Sequence, residues 1–379
     1  MNVLVPRVTV MAAIAWAITS LLVTSEALRA QDAVPAQDNA ARNAARKEAR
    51  KEANRFLTYL ELPARRSEGA KGLLRIGEYA VPTLMRGALH PDPAIACMSM
   101  QVLGELGRAA MVAEGTLHKL SLSDNPVIAS AGGWAKIRVR NQGEFLVTDY
   151  TKGQVVRYTP NQGKHDREVI FENMKSVWDA ERLGNGNYLV AHYTGKKVAE
   201  YTPEGKQVWE FTDVNMPLDA DRLPNGNTLI CDTHGGRVLE VNKKGKIVWS
   251  HKGLKQVYDA DRLVDGNTLI TEFGKHVIEV DPKGKIVWTH IIKDAFGADR
   301  LPNGNTLITS YTTGDVIEID AKGDSVLTIS GLKNPNEARR LANGNTAVAE
   351  NDAVRIYDPK GKMVREVKVG ARPGTLNFH

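Results

Sequence analysis

One hairpin is written five times in this chain of 379 residues. It reads DAERLGNGNYLVAH from Asp179, DADRLPNGNTLICD from Asp219, DADRLVDGNTLITE from Asp259, GADRLPNGNTLITS from Gly297 and EARRLANGNTAVAE from Glu337. A degenerate sixth copy, QGEFLVTDY, precedes them. Aligned on the Gly-Asn pair, the copies fall at Glu144, Asn187, Asn227, Asn267, Asn305 and Asn345, at intervals of 43, 40, 40, 38 and 40 residues. The letters of one unit dictate its local structure. Asn225-Gly226 suits a two-residue turn, because both residues tolerate the positive φ such a turn demands. It joins a first strand, Asp219 to Leu223, to a second, Thr228 to Asp232. Arg237 to Val241 forms a third, and after the Lys244-Gly245 turn Ile247 to Ser250 forms a fourth.

A period near forty residues that holds four short strands is the mark of a propeller blade. The strands are almost continuously apolar, as expected where neighbouring blades cover both faces. Six second strands predict a mainly β chain, a six-bladed β-propeller over residues 140–379. The first unit lacks a convincing first strand of its own, and WAKIRVR (Trp134 to Arg140) can be read as continuing the helix before it. The C-terminal RPGTLNFH repeats the proline placement of NPNEARRL (Asn334 to Leu341). It is predicted to supply the innermost strand of the first blade, closing the ring and removing two sheet edges. Trp209, Trp249 and Trp288 end fourth strands and are expected to fill the gaps between blades. Arg182, Arg222, Arg262, Arg300 and Arg340 recur at one position. Such regularity points to ion pairs between neighbouring blades, because a ligand site is normally asymmetric.

The first thirty residues read as a signal peptide: Arg7 precedes the run VTVMAAIAWAITSLLVT, and the small residues of SEALRA follow. The expectation is an exported protein, periplasmic or extracellular, with a membrane partner only if this segment stays uncleaved. Residues 31–60 read as a charged helix or linker. Much of the net charge of +6 lies in RNAARKEARKEANR, where no aromatic residues interleave with the bases. That is a solvated helix, and no nucleic-acid partner is expected. Cys97 and Cys231 are far apart and suggest neither a disulfide framework nor a zinc site. Residues 61–139 show apolar steps of three and four, broken at Tyr79–Pro82, at His90–Pro93 and at Gly107. The phrase IGEYAVPTLMRGALHPDPAI…LGELG resembles HEAT repeats, an N-terminal α-helical segment that gains stability by stacking on a neighbour.

Three propeller families share the lettering of the repeat. VIEVDPKGKIVW (Val277 to Trp288) resembles PQQ-type quinoprotein propellers, RLPNGNTLI (Arg222 to Ile230) is similar to arylsulfotransferase-type propellers, and the general layout resembles NHL repeats. These resemblances imply the fold more than an activity. Quinoprotein dehydrogenases usually build eight blades around their cofactor. In the sulfotransferase type a His commonly precedes the Asp, whereas Trp178, Leu218 and Tyr258 stand there in this chain. No Walker, HExxH, GxSxG or dinucleotide motif is present.

The letters that vary are then the candidates for function. The residues five past each aligned position are expected to ring one mouth of the channel: Asp149, His192, Asp232, Glu272, Ser310 and Glu350. Tyr150, Tyr193, Thr233, Phe273, Tyr311 and Asn351 follow them as its walls. Asp179, Asp219, Asp259 and Glu337 open first strands on the same face, and His234 in a loop joins the site. Carboxylates beside an imidazole suit a divalent cation, which makes Asp149, His192, Asp232 and Glu272 the metal candidates and such a cation the one cofactor suggested. The absence of a complete catalytic motif favours an exported, non-catalytic binding protein for a protein, glycan or small-molecule ligand. The alternative is a metal-assisted propeller enzyme (a hydrolase, lyase or sulfotransferase-like protein) or a quinoprotein relative.

Overall fold

The computed structural model describes residues 36–141, 143–161, 164–341, 343–369 and 373–378. The expected signal peptide lies outside them. The chain forms two compact units, residues 1–51 and 52–379. Helix α1 (Ala36–Glu61) supplies the described part of the first unit. An ion pair there, Lys51 to Glu48 at 3.7 Å, is largely exposed and contributes little.

The second unit begins with the last turns of α1 and continues through α2 (Arg66–Ile76), α3 (Val81–Ala88), α4 (Pro93–Leu106), α5 (Glu114–Leu120) and α6 (Pro126–Arg140). The predicted breaks have local causes. Asp92 caps α4 by accepting from the Ala94 N–H, with Pro93 placed where no N–H is missed. Asn125 does the same for α6. Gly107 ends α4 at φ +54, a conformation other residues adopt at a cost. Phe56, Leu60, Leu73, Leu84, Met100, Leu103 and Leu117 fill the core between the helices, and Val264, from a β-hairpin turn, is part of it. The helical segment is consistent with the HEAT-like reading.

Among the described residues twenty-four strands then make six four-stranded antiparallel sheets. Blade 1 contains β1 (Phe145–Asp149), β2 (Gln154–Asn161) and β3 (Lys164–Phe171), and its fourth member is β24 (Pro373–Phe378), paired with β1 so that Phe145 faces Phe378. The ring is closed by the C-terminal strand, as predicted, although Arg372 and His379 of that call lie outside the described residues. In blades 2 to 6 the first strand is innermost: β4 (Val177–Arg182), β8 (Asp219–Arg222), β12 (Val257–Arg262), β16 (Ala295–Arg300) and β20 (Glu337–Arg340).

The repeated letters form one staple between adjacent blades. Glu240, on the third strand of blade 3, accepts from the Asn227 amide of its own blade at 2.6 Å and pairs with Arg262 of blade 4 at 3.0 Å. Arg262 lies over the Trp249 ring, 5.0 Å from its centre, and the indole N–H donates to the Pro282 carbonyl of blade 4 at 3.1 Å. The same ion pair recurs as Arg222–Glu200, Arg300–Glu279 and Arg340–Glu318, at 2.8, 2.9 and 2.5 Å, and between blades 1 and 2 Arg182 pairs at 3.0 Å with Glu144, which stands at the aligned Asn position instead of on a third strand. Both repeated features thus join blades, as expected.

Candidate functional site

The innermost strands run from one end of the channel to the other, and the two ends differ. At the Arg182 end the helical segment covers the opening. Gly184 sits so close to Gly133 of α6 that a Cβ there would lie 2.4 Å from the Gly133 carbonyl carbon. Arg138 of α6 reaches Glu181 at 3.8 Å, and Lys71 of α2 pairs with Asp265. At the Val177 end none of helices α2 to α6 intervenes.

The expected carboxylate ring lies at this open end, but each member is buried and tied within its own blade. Asp149 accepts from the Lys152 backbone and pairs with its ammonium at 3.1 Å. Asp232 accepts from the Asn215 N–H at 2.6 Å and from Arg237 at 2.7 Å. Glu272 takes the Lys255 N–H and pairs with Lys275 and His276 at 3.0 and 2.9 Å. Glu350 takes the Lys333 N–H, the Tyr357 hydroxyl at 2.8 Å and Arg355 at 3.0 Å. His192 has both ring nitrogens in use, one 2.9 Å from the Lys175 carbonyl and the other 2.9 Å from the Tyr201 hydroxyl, and burial lowers its pKa. The carboxylates of the ring are therefore neutralised blade by blade, by cations other than the repeated arginines. Among the described residues no group of three or more His, Cys, Asp or Glu is arranged to hold a metal ion.

What the open mouth does gather is rings. Tyr150 and Tyr193 stand 6.5 Å apart, with Trp178 touching both at 5.6 and 5.4 Å. The Tyr193 hydroxyl is 3.2 Å from His234 Nε2. A second arc joins Phe273 to Tyr258 at 4.6 Å, Tyr258 to Phe296 at 4.8 Å, and Phe296 to Tyr311 at 5.4 Å. These rings come from five blades. Blade 6 instead presents Asn351, whose amide donates to Asn334 at 2.8 Å. The predicted walls Tyr150, Tyr193, Phe273 and Tyr311 and the loop residue His234 belong to this collar. Trp178, Tyr258 and Phe296 were missed, although an aromatic residue one step before the start of the repeated hairpin, in three of five copies, was a visible signal.

Below the collar the channel narrows to about 40 Å³, room for a few waters. Tyr258 and Phe296 form its upper end, and two tiers of acids line it. Asp179, Asp219, Asp259 and Glu337 make the upper tier. Asp221, Asp261 and Asp299 lie in the lower one, beside Arg339. Strand alternation places residues two apart on one face, so the DAD of the repeat carried this second tier too. Burial, with the neighbouring carboxylates, pushes Asp219 and Asp259 well above the usual carboxylate range. Burial likewise raises Asp221 to about 6, Asp261 to about 7 and Glu181 to about 8. Arg339 pairs with Asp299 at 3.5 Å, and that charge raises its own pKa.

The family model described as outer membrane protein assembly factor BamB matches residues 151–364. No curated protein matches the chain. Among solved structures, a protein of unknown function from Bacteroides caccae is similar at a TM-score of 0.52 and 16% identity, over 62% of this chain and 97% of that one. The structure of a nidogen/laminin complex contains a chain similar at a TM-score of 0.53 and 11% identity, with coverage of 62% and 97%. Virginiamycin B lyase from Staphylococcus aureus follows at 0.47 and 14%, covering 60% and 81%. At such identities the likeness is one of fold.

Proposed function

We propose, from the premise that the chain belongs to the family of PQQ-type propellers described as outer membrane protein assembly factor BamB, that it is an exported, non-catalytic binding protein whose ligand rests on the aromatic collar. One observation carries this reading: the open mouth breaks the symmetry of the repeat, with rings from five blades facing amides from the sixth. The repeated arginines, glutamates and tryptophans are used to join blades. Partly exposed aromatic faces stack on flat apolar surfaces while their polar tips stay hydrated, and amides add directional donors and acceptors. A sugar ring offers both a C–H face and a rim of hydroxyls, so a glycan is the ligand class this mouth fits.

Titration calorimetry with soluble cello-, xylo-, chito- and maltohexaose tests the reading. One of these is expected to bind, and the Tyr258→Ala, Phe296→Ala double variant to bind it at least tenfold more weakly. If none binds, or the variant binds equally well, the glycan reading fails. Export is checked separately by the amino terminus of the mature protein, expected at Gln31 or Leu28; an intact Met1 on cytosolic protein would refute it.

A further inference from the structure

A cavity of about 310 Å³ lies between the helical segment and the hairpin turns of blades 3 to 5, with Arg339 of blade 6 beside them, at the covered end of the channel. Its volume is at the lower end of what small-molecule sites occupy. One side is apolar, with Leu74 of α2 facing Leu223, Leu263, Val264 and Leu301 of the turns. The other side is charged, with acids set among arginines that are paired to other carboxylates. Asp221 and Asp261 descend into it from the channel wall, and Glu105 of α4 faces them from the helical side.

These three carboxyls accept no hydrogen bond and form no ion pair among the described residues, unlike every carboxylate at the open mouth. Each nonetheless retains some accessible surface, and that surface opens on the cavity. The cations nearest to them are engaged elsewhere. Arg138 lies over the Trp134 ring at 3.9 Å and reaches Glu181, and Arg339 pairs with Asp299. Burial raises Glu105 to about 7, and the three acids raise one another: Asp261 acts on Glu105, Glu105 on Asp221, and Asp221 on Asp261. Arg138 and Arg339 act on all three and lower their pKa values, but by less than burial raises them, and among the described residues no cation is in contact with any of the three.

We propose that this cavity binds a small organic ammonium ion, a primary amine on an apolar stem, with its head at Glu105, Asp221 and Asp261 and its stem against Leu74, Leu263 and Leu301. An ammonium head carries three donors for three carboxyls, and the stem covers the apolar wall that a bare cation would leave wet. The site is at the opposite end of the channel from the collar and does not rest on the glycan reading.

Titration calorimetry and thermal melting of the full chain test it, with n-hexylamine as the probe, 1-hexanol as its neutral counterpart and calcium chloride as a bare cation. Saturable binding of n-hexylamine is expected, with a melting temperature that rises with its concentration and an affinity at least tenfold above that for 1-hexanol. The Asp221→Asn, Asp261→Asn variant is expected to bind the amine at least tenfold more weakly. It should melt no lower than the parent, since two enclosed and unpartnered carboxyls have been neutralised. Glu105→Gln, altered on the helical side alone, repeats the test with the channel wall intact and should also weaken binding. Equal binding of 1-hexanol, undiminished binding by both variants, no response to the amine, or calcium binding that the amine fails to displace would each overturn the proposal.

Discussion

At the scale of single residues, the protein sorts its carboxylates into two populations. Those at the open mouth are saturated by N–H donors and cations of their own blade, and serve as local ties between a strand end and the preceding loop. Those in the channel are crowded together, and their raised pKa values have a consequence for stability. Glu105 ordinarily ionises near 4.5 and is pushed up to about 7 by burial. Between those values the folded chain holds a proton that the unfolded chain has released. The stabilising contribution is therefore complete below about pH 4.5 and is lost as the pH rises towards 7. Each pH unit of separation is worth about 1.4 kcal/mol. Glu105→Gln should flatten this part of the curve, so that melting temperatures of parent and variant converge at pH 5 and separate at pH 8 with the variant higher. A variant whose curve runs parallel to that of the parent would contradict the assignment. The sequence showed only half of this chemistry. It displayed the first Asp of each DAD as a strand opener. The partner that Glu105 meets in the channel is far away in sequence and is brought there by stacking of the helices, which no local pattern records.

At the scale of elements, the hairpin was the most legible part of the chain. Its turn residues fix the register locally, and the second strand Thr228–Asp232 forms over the range its letters indicated. The fourth strand extends further than expected, to Lys252, because pairing with Arg237 carries it past the last apolar residue. The role of the repeated Asn was hidden, since an amide that holds a glutamate for the next blade looks in sequence like a turn residue alone. The staple can be measured. Glu240→Ala would leave the Arg262 guanidinium enclosed and unpaired, and should cost about 3–5 kcal/mol. The exposed counterpart Glu48→Ala should change stability by less than about 1 kcal/mol. Chemical denaturation of both variants checks the contrast, and equal losses would show that the staple carries no special weight.

At the scale of the whole molecule, the ring has a seam. Five junctions carry the Arg–Glu pair, but in blade 6 Ile356 takes the place of the third-strand glutamate and Arg365 that of the tryptophan, while PGTLNF offers no arginine. Closure there rests on β24 pairing with β1. Deleting residues 373–378 should bare an edge on β1 and cost on the order of 3–5 kcal/mol, a large share of a domain's net stability. A truncated protein that melts with its parent would show that the seam holds without its strand. The seam also sets an order of events during synthesis. Blade 1 is the first blade to leave the ribosome and the last to be completed, because its inner strand is made more than two hundred residues after β1. Through that interval the nascent chain carries a sheet edge open to wrong partners, and under the export proposed above it would travel with that edge unpaired. Translocation in an unfolded state would remove the hazard, since β1 and β24 would then first meet only after both had crossed.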